Sequence, residues 1–232
     1  MQGFLTRALR IRKVLLGRDF YQCRQVRRKR LTLGNRFAEW TISPEGIDRE
    51  SIVYSFGVGE DISWDLGMIE RFGTKIHAFD PSPRSIGWIT EQDLPEGFIF
   101  HPFGLAGEDG EIIFYEPPDP GARSLRISGS GKEQERGEKH SLPVHRLDTI
   151  KEILGHEHID ILKMDIEGAE YGVIEDVVDA AGSISQVLIE FHHRFSNIGV
   201  EETRKAIREL NRAGFGIFHV SSTGEEISFI RE

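Results

Sequence analysis

Cysteine is nearly absent from this chain. Cys23 is the only one in 232 residues, so no disulfide can form within the chain, a pattern that fits a reducing compartment. A chain of this length buries roughly 70% of the surface its unfolded form would expose, and needs neither a disulfide nor a metal staple to hold one large domain together. Long apolar runs are absent too. None approaches the roughly 20 residues that a membrane span requires. The longest N-terminal candidate, Val14-Leu15-Leu16, is hemmed by Arg10, Arg12, Lys13 and Arg18, unlike a secretory signal peptide. These absences lead to the expectation of a soluble, cytoplasmic protein.

Acid is scarce only at the start. Residues 1–30 carry ten Lys/Arg against Asp19 alone, leaving 19 bases and 37 acids in the remainder, a charge of −18 beneath the overall −9. Phe4, Leu5, Ala8, Leu9, Ile11, Leu15 and Leu16 recur loosely at helical spacing. Residues 1–45 are therefore read as a basic, helical arm ahead of a catalytic domain over 46–232. Such an arm can pair with the acidic body, with an anionic membrane or with another protein. Contact within a homo-oligomer or with a protein partner is favoured, because Arg7, Arg12 and Arg18 interrupt the apolar stripe. A membrane surface stays open, whereas nucleic acid is disfavoured because no aromatics interleave the charges.

Beyond the arm, strand and helix patterns alternate. Strands are expected near 51–57, 75–80, 98–103, 159–165 and 186–192, and helices near 61–72, 82–92, 169–180 and 201–213. That alternation predicts an α/β fold around a mostly parallel sheet covered on both faces. The end differs, since 214–221 and 226–231 flank the turn Ser222-Thr223-Gly224-Glu225 and predict a C-terminal antiparallel hairpin. Between 104 and 150 the alternation lapses. Glu111–Tyr115 reads as a strand, while Pro117 to Gly137 is rich in Pro, Gly, Ser and charge, and the insertion near 104–145 is read as a substrate-side lid.

Chemistry concentrates at strand ends. Ile161-Leu162-Lys163-Met164-Asp165-Ile166-Glu167 is an apolar strand running into a polar tip, which is where an open α/β sheet places its site. Gly57-Val58-Gly59 follows another apolar strand and would let the backbone approach a ligand. The dinucleotide pattern GxGxxG fails, because Ile62 stands at its third glycine. Asp80 ends the next strand 23 residues after Gly57, about where an acid accepts ribose hydroxyls. Plainer readings exist beside these. Asp80 also suits an Asx turn or cap before Pro81-Ser82-Pro83, and Asp61 suits a cap for the following helix. Lys163 can pair with Glu190 across neighbouring strands, and Glu167 or Glu170 suits the positive end of the next helix. His192-His193-Arg194 fits a solvated strand exit, His156 and His158 fit a polar surface turn, and Phe56, Phe79 and Phe191 fit the core.

Five segments, Val53–Asp61, His77–Pro81, Leu147-Asp148-Thr149, Leu162–Glu170 and Leu188–His192, resemble in order and spacing the FkbM-type S-adenosylmethionine-dependent methyltransferases. The likeness spans about residues 50–231, with Lys163-Met164-Asp165-Ile166-Glu167-Gly168-Ala169-Glu170 its most specific element. It implies a Rossmann-like seven-stranded methyltransferase sheet whose C-terminal strand runs antiparallel. It also implies that Gly57 and Gly59 face the methionine part of the cofactor, that Asp80 holds its ribose, and that Phe103, Gly104 and Leu105 lie beside the adenine. Asp165, at the end of the central strand, would stand beside the methyl.

The implied reaction is O-methylation of a hydroxyl on a sugar or hydroxylated natural product, with S-adenosylmethionine as donor. Displacement from a sulfonium demands an aligned oxygen and a group to take its proton. Asp165 is the first choice, with Glu167, Glu190 and His192 placed as base, substrate anchor or metal ligands. Asp165, Glu190 and His192 together suit Mg²⁺ or Mn²⁺. A non-catalytic binding module or partner subunit of the same fold is the competing reading. A nicotinamide oxidoreductase is disfavoured by Ile62 and the antiparallel ending.

Overall fold

The computed structural model describes residues 10–36, 38–115, 126–127, 139–195 and 197–232. Its centre is a seven-stranded sheet. In chain order these strands are β3 (Ile52–Phe56), β4 (Lys75–Phe79), β5 (Phe98–His101), β10 (Ile159–Met164), β11 (Ile184–Glu190), β12 (Phe215–Val220) and β13 (Glu226–Arg231), and in space they run β12-β13-β11-β10-β3-β4-β5. The strands from β3 to β11 are parallel, and β13 pairs antiparallel with both β11 and β12. The hairpin expected at the C-terminus thus closes the sheet by inserting its second strand beside β11. The fold is the mostly parallel, Rossmann-like sheet that the alternation predicted.

Side-chain alternation along the central strands feeds two cores. Tyr54, Phe56, Leu162, Met164, Val187 and Ile189 face one side, where they meet Leu147, Ile150, Val173, Val177, Ile207 and Leu210. Those residues come from three helices, at Leu147–Leu154, Glu170–Asp179 and Val200–Arg212. In the last of these, Thr203, Ala206, Ile207 and Leu210 form the buried stripe, at the spacing one helix face requires. Val53, Ile161 and Leu188 face the other side with Trp40, Ile42, Trp64, Met68 and Ile89. Strands fed by apolar residues on both faces are what a covered parallel sheet needs.

Three expectations need correction. The helix at Leu147–Leu154 begins in the stretch between 104 and 150 where the alternation was expected to lapse. The insertion near 104–145 also builds a second sheet, ordered β6-β9-β7-β8, from Gly104–Leu105, Lys139–His145, Gly110–Tyr115 and Arg126–Ile127. Most of Pro117 to Gly137 lies outside the described residues. The third correction concerns the arm. Among its described residues, helix is confined to 10–15, while Phe4, Leu5, Ala8 and Leu9 lie outside them.

Residues 19–30 run without regular structure over the domain, and the N–H groups of Gln25 and Val26 both donate to the Ile217 carbonyl on edge strand β12. Covering an edge in this way blocks pairing with foreign strands. The division at residue 45 also cuts through packed structure. A hairpin of β1 (Leu31–Leu33) and β2 (Trp40–Ile42) buries Trp40 and Ile42 in the second core, and Phe20 is buried in the first. In buried hydrogen bonds the Ser43 N–H donates to Gln186 Oε1, Gln186 Nε2 donates to the Ser43 carbonyl and the Ser228 hydroxyl donates to the Thr41 carbonyl, which tie that hairpin to β11 and β13. No helix among the described residues is long and apolar enough to cross a membrane.

Candidate active site

A cavity of about 920 Å³ opens where β3, β4, β10 and β11 end. Gly57, Gly59, Asp80, Gly104, Leu105, Asp165, Glu167 and Glu190 all line it. Ile112, His140 and Val144 of the second sheet close its far side. Phe103 does not line it, and its ring packs instead among Phe79, His101 and His145.

The two loop glycines do different work. Gly57 has φ +75°, and a Cβ there would sit 1.6 Å from the Asp165 carbonyl oxygen, so it is glycine to let the exits of β3 and β10 close on each other. Gly59 has φ +55° with open space around it, and its N–H donates to Asp80 at 3.0 Å. The other Asp80 oxygen accepts from the Ser82 N–H at 2.9 Å, an Asx turn, and Ser82 then caps the helix Pro83–Thr90. The turn and the cavity-facing position of Asp80 therefore coexist. Asp61 accepts from the Ser63 N–H at 2.9 Å in an Asx turn just ahead of the helix Ser63–Phe72, whose N-cap position is Ile62 and not the expected Asp61.

Opposite this loop, Asp165 and Glu167 front the cavity, and His192 lies directly behind them. His192 Nε2 stands 3.7 Å from Asp165 and 3.5 Å from Glu167, while its Nδ1 is 2.9 Å from the fully buried Glu170 carboxylate. That carboxylate also accepts the N–H groups of Ile166 and Gly168. With Glu170 accepting from Nδ1, the imidazole is fixed with Nε2 toward the front acids. The turn so stitched carries Glu167 at φ +53°, the one positive-φ residue other than glycine among the described residues. A non-glycine residue held there is strained, a state that clusters at functional sites.

The charges in this corner are strongly coupled. Burial alone would lower the His192 pKa, but the hydrogen bond and charge of Glu170, followed by the charges of Asp165 and Glu167, push it up to about 10. Burial and the neighbouring Asp165 charge push Glu190 up to about 9. Burial also raises Asp165, while Lys163, His192 and a hydrogen bond from Glu190 pull it back. Both carboxyl groups of the Asp165–Glu190 pair therefore hold a proton more readily than ordinary acids, and Asp165 is the one at the front of the cavity. The result is an acid whose affinity for a proton exceeds that of an ordinary aspartate, open to the cavity over 30% of its side chain.

Several plainer readings change. Lys163 does not pair with Glu190; its Nζ lies 5.0 Å from the Trp40 ring centre and 5.9 Å from that of Trp64. His192 and His193 are buried and form no solvated exit, with His193 3.4 Å from Asp19. His156 is half-buried, 2.8 Å from the Tyr54 hydroxyl, whereas His158 is exposed as expected. Glu170, Trp40, Trp64 and Asp65 had not been singled out for the site. Glu170 had a signal, standing one helical turn beyond the acids of its own segment, but Trp40 reaches Lys163 from 123 positions away in the chain.

Ligand atoms of Asp165, Glu190 and His192 lie within 4.8 Å of one another, the one such cluster among the described residues able to hold a metal ion. Carboxylates and imidazole are apt ligands for a divalent ion, which would have to displace the protons on Glu190 and His192.

The chain is 26% identical over 177 residues to a probable methyltransferase-like protein 24 of Rattus norvegicus, covering 72% of this chain and 42% of the relative. It is also 26% identical over 152 residues to the hexuronic acid methyltransferase AglP of Haloferax volcanii, covering 57% and 56% of the two chains. It thus spans about half the length of these curated relatives. The crystal structure of an FkbM methyltransferase from Methylobacillus flagellatus superposes with a TM-score of 0.50 at 15% identity, over 79% of this chain and 44% of that one, a likeness of fold. Residues 53–217 match the family model for the methyltransferase FkbM domain, and the chain belongs to that family.

Proposed function

We propose that this protein is an O-methyltransferase that takes its methyl group from S-adenosylmethionine and delivers it to a hydroxyl of a sugar or hydroxylated natural product. The observation that carries the reading is the Asp165–Glu190 pair, two carboxyl groups whose proton affinity burial raises, lining the same cavity as Gly59 and Asp80. A carboxylate whose proton affinity is raised by burial is matched to taking a proton from a hydroxyl as it attacks. The carbohydrate acceptor draws support from the relative in Haloferax volcanii, whose described substrate is a sugar acid.

When bound, S-adenosylmethionine supplies an electrophilic methyl on a sulfonium. The residues present fit it. Asp80 presents a carboxylate for ribose hydroxyls from a loop fixed by Gly59 and Ser82, and Gly104, Leu105, Ile112 and Val144 offer a largely apolar wall to the adenine. Asp165 receives the acceptor's proton. The charges of Lys163 and of the His192 imidazolium behind it, the latter pinned by Glu170, pull Asp165 back toward its ionised form, and Glu190 orients it by hydrogen bond.

Incubation with methyl-labelled S-adenosylmethionine and a panel of sugars and sugar acids should yield an acid- and base-stable methyl ether on at least one hydroxylated acceptor. Label on carboxylate or nitrogen alone would overturn the O-methyl assignment, and no transfer despite cofactor binding would favour a non-catalytic module. The Asp165, Glu190 and His192 cluster also supports a metal-assisted version with Mg²⁺ or Mn²⁺ lowering the hydroxyl pKa. In that version EDTA abolishes turnover and the metal restores it; an EDTA-insensitive rate leaves Asp165 acting alone.

A further inference from the structure

Beside the Asp165 corner, the cavity wall holds a second set of buried charges. Lys163 lies on β10 facing the second core, only 4% exposed, and makes no ion pair with a carboxylate among the described residues. Its Nζ is held between the rings of Trp40 and Trp64, a cation–π setting. Beside it, at the first turn of the helix Ser63–Phe72, Asp65 and Trp64 are each 1% exposed. Asp65 Oδ1 and Trp64 Nε1 have no hydrogen-bond partner. Trp40, Trp64, Asp65 and Lys163 all contribute to the cavity wall.

Buried polar atoms without partners are costly, roughly 1–3 kcal/mol each, and call for a group that completes them. Here the demand has a definite form: one buried cation, one buried anion with the Ser55 hydroxyl as its neighbour, and one free N–H, next to the loop Gly57–Gly59. A ligand carrying only a carboxylate would leave the Asp65 oxygen unmet, and a ligand carrying only an ammonium would leave Lys163 unmet. An α-amino acid meets both.

We propose that Lys163 and Asp65 form the binding subsite for the amino-acid end of the cofactor, Lys163 meeting the α-carboxylate and Asp65 the α-ammonium, with Trp40 and Trp64 as its walls. This assigns the methionine end to side chains from β2, β10 and the first helix, where the glycine loop had been expected to receive it. Burial raises the Asp65 pKa while the Lys163 charge pulls it back.

The inference rests on the cofactor assignment, and calorimetry with two nucleosides separates the two. S-adenosylhomocysteine carries the amino-acid tail; methylthioadenosine keeps the adenosine and sulfur but lacks the ammonium and carboxylate. Lys163→Met and, as an isosteric second variant, Asp65→Asn should each weaken S-adenosylhomocysteine by about ten- to a hundredfold, the range for a hydrogen bond to a charged group. Methylthioadenosine affinity should stay within about twofold of wild type, which also reports that the variants are folded. Equal losses for both ligands, or no loss for either, would overturn the subsite. So would wild-type protein that binds both nucleosides equally well, although the cofactor assignment would then survive. Wild-type protein that binds neither would defeat both. Unchanged nucleoside affinity with a raised acceptor KM would instead place Lys163 on the acceptor.

Discussion

Asp165→Asn should lower methyl-transfer turnover by roughly 10²–10⁴, the usual worth of a positioned general base, while leaving S-adenosylhomocysteine affinity within about twofold. The substitution keeps the shape of the side chain and removes its charge. The pH profile carries the sharper signature. Asp165 must be ionised to accept a proton, so the rate rises with pH as its carboxyl deprotonates. Because burial raises that pKa, the ascending limb lies above the ordinary aspartate range. The asparagine variant should lose this limb along with the rate. A near-normal rate for Asp165→Asn on a true acceptor would move the role to Glu167, which shares the front of the site.

Gly57→Ala should be the most damaging small substitution in the cofactor loop, and damaging through the fold. The added methyl would fall 1.6 Å from the Asp165 carbonyl at a backbone φ of +75°, so strand exits must part and a left-handed conformation must be held by alanine. Together these cost about 3–5 kcal/mol, a large share of a typical domain's stability. Gly59→Ala meets nothing within 4 Å and carries only the left-handed strain, about 1 kcal/mol. For a chain of this size each kcal/mol moves the melting temperature by roughly 2–4 °C, so thermal unfolding should separate the variants by several degrees. Equal melting temperatures would contradict the close approach of β3 and β10.

These glycines mark where the sequence was legible and where it was not. The turn after β3 could be read from Gly57-Val58-Gly59, but which glycine serves packing and which faces open space depends on Asp165, more than 100 residues away. The strands of the parallel sheet were legible because apolar residues on both faces leave unbroken runs, and the closing hairpin because Gly224 sits between two such runs. Most of the second sheet and the helix Leu147–Leu154 were not, because they border the Pro-, Gly- and charge-rich stretch 117–137 where the alternation lapses. Asp80, Asp165, Glu190 and His192 could be placed at strand ends from local pattern alone. Their division of labour could not: that His192 stands behind the acids follows from Glu170, which pattern reading assigned to a helix end. Trp40 shows the same limit at longer range, since its partner Lys163 is brought to it only by the packing of β2 on the sheet.

The central claim, that the cavity between the Gly59–Asp80 loop and the Asp165 corner receives S-adenosylmethionine, is tested most directly by calorimetric titration of the full chain with S-adenosylhomocysteine, run in parallel with NADH. Wild-type protein should bind S-adenosylhomocysteine at one site per chain, and Asp80→Ala should weaken it by about 1.5–3 kcal/mol, since a charged acceptor for the ribose hydroxyls is lost. Unchanged affinity in a folded Asp80→Ala protein, or tighter binding of NADH than of S-adenosylhomocysteine by the wild type, would contradict it.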